Sequence, residues 1–150
     1  MPTPSETFIE NRNRILPNQT NNHDTAHGGI IMKLMDEVGA MAAMRFAGEP
    51  CVTARVDGLD FRRPVPRGDI AVVTGWVFEA GRTSAKVRLT AERENPLTGE
   101  RQVTSESCFT FVAIDGDGKP VEVPDLTIES EHDEQLRAEG LEADATDGQR

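Results

Sequence analysis

The chain has 150 residues, 26 acidic and 16 basic side chains for a formal charge of −10, and is 37% hydrophobic and 28% charged. That is enough apolar material for the core of one ordinary domain, and the balance excludes both a membrane protein and a wholly disordered chain. The longest apolar stretch, residues 28–47, is interrupted by Lys33, Asp36, Glu37 and Arg45, so it is no bilayer span. No secretion signal is expected, because the start lacks a basic segment followed by an apolar one. No basic stripe interleaved with aromatics is present, which argues against a nucleic-acid partner. Cys51 and Cys108 are too few for a disulfide framework, fit a reducing cytoplasmic setting, and read as small buried hydrophobes.

In chain order, a first strand is predicted between Phe8 and Ile15. From Gly28 to Phe46, apolar residues at Ile31, Leu34, Met35, Val38 and Ala42 follow the i, i+3, i+4, i+7 spacing of a helix, which Gly48-Glu49-Pro50 ends. Met32, Gly39, Ala40 and Ala43 surround Asp36 on the other side, so the helix is expected to be buried nearly all round. The period then changes to two. Val52, Ala54 and Val56 alternate, as do Ile70 to Phe78 and Ala85 to Ala91, and Phe109, Phe111 and Ala113 mark a last strand. Turn signals at 64–69, 80–81 and 95–99 separate these runs. The result is an α+β layout: an antiparallel sheet of about five strands wrapped around one long central helix. Residues 1–124 form the single domain. Residues 125–150 carry nine acids against Arg137 and Arg150 and are expected to be a flexible, solvated tail with one frayed helical turn or more near 131–139.

The chemistry-bearing segment runs from Asn21 to Asp36. Gly28 and Gly29 at a helix start expose backbone N–H groups where the helix dipole is positive, a natural cradle for a developing oxyanion. Asp36 lies two turns further on, and a carboxylate on a covered helix face is either put to use or neutralised by a partner. From the residues alone it is either a general base or nucleophile, or half of an ion pair with Lys33. His23 and His27 precede the helix and lack a third ligand, so no metal site is expected.

His27-Gly28-Gly29, six residues and then Asp36, with Asn21 six positions before the histidine, resembles the hotdog-fold acyl-CoA thioesterases. Lys33 to Val38, Arg62-Arg63-Pro64-Val65 with Gly68-Asp69, and Phe109 to Val112 followed by Val121 to Pro124 resemble the brain acyl-CoA hydrolase branch in particular. The resemblance covers roughly residues 8–125. It implies a hotdog fold, dimers assembled as a trimer of dimers, and active sites at the dimer interface with groups from both subunits. It further implies hydrolysis of an acyl-CoA to the free acid and coenzyme A, without metal or redox cofactor. In the roles it implies, Asp36 is general base or nucleophile, and Gly28 N–H with His27 nearby stabilises the oxyanion. Asn21 orients water or carbonyl. A hydroxyl on the strand after the helix falls at Ala54 by alignment, with Thr53 beside it as a helper. Arg62, Arg63, Arg82 and Lys86 are the candidates for coenzyme A phosphates. The alternatives are an enoyl-CoA hydratase and a non-catalytic acyl-CoA sensor.

Overall fold

The computed structural model describes residues 2–147. The strands are β1 (Ile9–Arg14), β2 (Cys51–Val56), β3 (Asp60–Phe61), β4 (Ile70–Ala80), β5 (Ser84–Glu94) and β6 (Arg101–Ala113); the α-helices are α1 (Gly28–Ala47) and α2 (Glu131–Asp147). All strand pairs are antiparallel. The sheet order is β1-β4-β5-β6-β2, with β3 also on β6. This is the α+β arrangement expected, six-stranded because the two-residue β3 adds to the edge.

The helix predicted from Gly28 to Phe46 forms one residue longer and ends at Gly48, whose φ of 69° takes the left-handed conformation that glycine tolerates best. Ile31, Leu34, Met35, Val38, Ala42 and Phe46 bury against Val73, Val77, Val87, Leu89, Phe109 and Phe111 on the inner face of the sheet. Gly39 permits that approach, since a Cβ there would stand 2.7 Å from Phe111 Cζ. The helix is not covered all round, contrary to the sequence expectation. Met32, Lys33, Glu37 and Met44 are exposed and Asp36 is half-buried, because β2 is an edge strand and among the described residues no strand continues the sheet beyond it. Among the described residues no helix is long and apolar enough to cross a membrane.

The acidic segment departs most from expectation. Residues 131–147 form a helix that lies on the outer face of the sheet, over Trp76, Phe78 and Cys108, with Leu136 buried among them. Residues 148–150 of the predicted tail lie outside the described residues. Charge repulsion does not dissolve this helix because its start and one face are specifically satisfied. Ser130 Oγ caps its start by accepting from Asp133 N–H (3.0 Å), while the Asp133 carboxylate accepts from Ser5 N–H and Glu129 N–H (3.1 Å each). Trp76 Nε1–H donates to Leu136 O (2.9 Å), and Asp144 pairs with Lys86 (2.8 Å). Gly140 sits so close to Phe78 that a Cβ would stand 2.2 Å from its Cγ.

Candidate active site

Asp36 and Thr53 meet across the boundary of helix and sheet. Thr53 Oγ–H donates to Asp36 Oδ1 (2.5 Å), and among the described residues Oδ2 has no hydrogen-bond partner. Thr53 faces the helix because the β2–β6 register shifts between Thr53 and Arg55: Thr53 pairs with Phe111 and Arg55 with Thr110, leaving Ala54 as the extra residue of a bulge. The alternation read from Val52, Ala54 and Val56 is therefore overturned, and so is the alignment that put Ala54 at the hydroxyl position. Before the bulge Cys51 and Thr53 turn inward, and after it Val56 does. Gly29, Met32, Lys33, Asp36, Thr53, Val56 and Phe109 line one depression of about 380 Å3 with mostly apolar walls. Lys33 stands 4.0 Å from Glu37, and no contact joins it to Asp36 among the described residues, so the ion-pair reading of Asp36 is not what forms.

At the start of α1, His27 is the N-cap and its Nδ1 accepts from Gly29 N–H (3.0 Å). A neutral imidazole accepting at Nδ1 carries its proton on Nε2. With the Gly29 amide taken by the cap, Gly28 N–H is the donor left at this helix start, with no acceptor among the described residues. Asn21 closes the preceding loop. Its Oδ1 accepts from His23 N–H (2.9 Å), Thr25 N–H (3.3 Å) and Thr25 Oγ–H (3.2 Å), which leaves its amide Nδ2 as the group able to donate outward. Asn21, Gly28, Phe61, Arg62, Arg63 and Val65 line a second cleft of about 390 Å3.

The expected site residues thus fall into two groups. Asn21, His27 and Gly28 stand with Arg62 and Arg63 at one end of α1, and Asp36 with Thr53 about 12 Å of helical rise further on. The four candidate phosphate ligands do not cluster either. Arg62 pairs with Glu106 (3.5 Å), and Arg63 Nη1–H donates to Val103 O (2.7 Å), both beside the second cleft. Lys86 is engaged on the outer face by Asp144, whose hydrogen bond, with Glu79 nearby, holds its ammonium above the usual range against the opposing effect of burial. Arg82 is in the β4–β5 turn, at the end of the sheet away from Arg62, which is hydrogen-bonded to Thr104 O. Burial, then the nearby Glu49 charge, pushes the Cys51 thiol up, which disfavours a thiolate nucleophile there, and Cys108 is buried under α2. Among the described residues no group of three or more His, Cys, Asp or Glu is placed to hold a metal ion.

Known proteins share both sequence and fold with this chain. The thioesterase superfamily model matches residues 23–100, just over half of the chain. The uncharacterized acyl-CoA thioester hydrolase YkhA of Bacillus subtilis is 35% identical over 128 residues, 85% of this chain and 74% of that one. A hexameric acyl-CoA thioesterase superposes with a TM-score of 0.86 at 33% identity, covering 100% of this chain and 96% of its own. An acyl-CoA hydrolase of Staphylococcus aureus, solved with butyryl coenzyme A and coenzyme A, superposes with a TM-score of 0.84 at 31% identity over 95% of this chain and 87% of that one. Variants of that hydrolase with a single Asn, Asp or Thr changed to Ala have also been solved, and in its numbering those three positions stand 15 and 17 residues apart. The chain belongs to the thioesterase superfamily and has its hotdog fold.

Proposed function

We propose that this protein is a cytoplasmic acyl-CoA thioester hydrolase whose active site is completed by a second copy of the chain. The observation that carries the reading is the Asp36–Thr53 pair on an apolar depression, joined to Asn21 by spacing. Residues 21, 36 and 53 stand 15 and 17 apart, the separations of the Asn, Asp and Thr altered in the Staphylococcus aureus hydrolase.

In this mechanism the Asp36 carboxylate is the general base. Thr53 holds Oδ1, and Oδ2 takes a proton from water as its oxygen attacks the thioester carbonyl. The carbonyl oxygen, gaining negative charge, is held by Gly28 N–H with the Asn21 amide as second donor. Collapse of the tetrahedral intermediate breaks the carbon–sulfur bond, and the proton on Asp36 leaves with the coenzyme A sulfur. A thiolate is a good leaving group, so a positioned water and an oxyanion donor suffice without a Ser-His-Asp triad. Arg62 and Arg63 receive the phosphates of coenzyme A beside the Gly28 cleft.

Two groups about 12 Å apart along one helix cannot act on the same carbonyl. The open face of α1 and the unpaired edge of β2, with Val52, Val56, Met32 and Met44 exposed, are where a second copy would add its sheet and bring its own Asn21 and Gly28 to this Asp36. Three such dimers would make the hexamer. The direct test is release of free thiol from acyl-CoAs running from acetyl to palmitoyl and including aromatic acyl groups, by wild type and Asp36→Ala side by side. Turnover by wild type alone supports the reading; binding without turnover would favour the acyl-CoA sensor instead.

A further inference from the structure

Phe61 is an aromatic residue left 50% exposed on the two-residue strand β3, between Asp60 and Arg62. Core packing does not account for its position. The ladder does: Phe61 pairs with Ser105 of β6, and the Arg62 N–H that follows donates to Thr104 O (2.9 Å). So held, the ring lies flat against the start of α1, with Cζ, Cε2 and Cε1 3.4, 3.6 and 3.7 Å from where a Gly28 Cβ would be. It shares the cleft with Asn21, Arg62 and Arg63, and the Gly28 amide beside it is the one the N-cap leaves open.

We infer that Phe61 is a positioning residue for hydrolysis: its ring walls water away from Gly28 N–H and holds the thioester carbonyl against that donor. The inference rests on the hydrolase reading above. A donor facing bulk water gives little to a developing oxyanion, because water competes for it and screens its dipole. The same donor beside an apolar wall acts in a lower dielectric and without reorganisation. The wall acts where charge develops, so its effect belongs to the transition state more than to the bound substrate.

The test is steady-state kinetics of wild type, Phe61→Ala and Phe61→Leu on the acyl-CoA turned over fastest and on the N-acetylcysteamine thioester of the same acyl group, with assembly followed by sedimentation. Removing the ring is expected to lower kcat about tenfold on both thioesters with little change in KM, while leucine, still an apolar wall, keeps most of the rate. Both variants should sediment as wild type does. A loss confined to the coenzyme A substrate would make Phe61 a nucleotide contact and overturn the inference. So would a loss in KM alone, a leucine variant as impaired as the alanine one, or failed assembly of both. Wild-type turnover with an unimpaired Phe61→Ala removes the role of Phe61 alone. A wild type that hydrolyses neither thioester removes the reading beneath it, and the role of Phe61 with it.

Discussion

Thr53 owes its place to its neighbour. Ala54 adds nothing to the chemistry itself, yet as the extra residue of the bulge it turns Thr53 toward α1 and the Asp36 carboxylate. Strict alternation along β2 points to the wrong residue because a bulge changes the phase of a strand without leaving a composition signal. Losing a hydrogen bond to a charged group costs about 1.5–3 kcal/mol, so Thr53→Ala should lower kcat by about 10- to 100-fold. Thr53→Ser, which restores the hydroxyl, should recover most of that, as measured by thiol release. Asp36 was singled out because its spacing to His27 and Gly28 resembles the family motif; the helical period alone put it on a covered face, whereas it is half-buried beside an edge strand. Asp133 was not singled out, although Ser130 three residues before it is a helix-start signature. Burial opposes its ionised form, but hydrogen bonds from Ser5, Glu129 and Ser130 outweigh that and hold the carboxyl below its usual range. A group depressed in this way contributes stability above its unfolded pKa and loses it as pH falls through the folded value. Asp133→Asn should therefore be less stable than wild type at neutral pH, with the gap closing in strong acid, as read from denaturant midpoints at each pH.

At the scale of elements, α1 and strands β4, β5 and β6 were readable because each has a clean period and a turn signal at its end. The docking of α2 was not, because nine acids in residues 125–150 outweigh its few apolar positions in any composition argument. The signal was in β4. Residues Ile70 to Phe78 are apolar on both faces, with Ala71, Val73 and Val77 inward and Trp76 and Phe78 outward, and a strand of that kind needs cover on both sides. Trp76 is the only tryptophan and its indole N–H is bonded to Leu136 O, so its fluorescence reports whether α2 is docked. Gly140→Leu puts a side chain where Phe78 already stands. Undocking should red-shift the Trp76 emission and cost about 1–3 kcal/mol in thermal or denaturant stability. Emission and midpoint unchanged from wild type would mean that α2 is not held against the sheet in solution.

Viewed as a whole, one chain supplies the fold and, under the proposed function, only part of each active site. The fold follows from one buried helix and an antiparallel meander, and the sequence carries both periods plainly. A site divided between two copies was implied by the family resemblance, while Asn21, Gly28 and Asp36 are close in sequence and it is the rise of α1 that separates them in space. Under that proposal the exposed stripe of α1 and the bare edge of β2 are where a second copy would dock.

The most direct test of this composite site mixes two inactive chains. Asn21→Ala and Asp36→Ala, carrying different tags, are each expected to assemble and to hydrolyse acyl-CoA poorly. In a mixed dimer related by a two-fold axis, one site then receives both substitutions and the other receives neither, so purified mixed dimers should regain about half of the wild-type thiol release. Mixed dimers no more active than either parent would contradict a site shared between two copies.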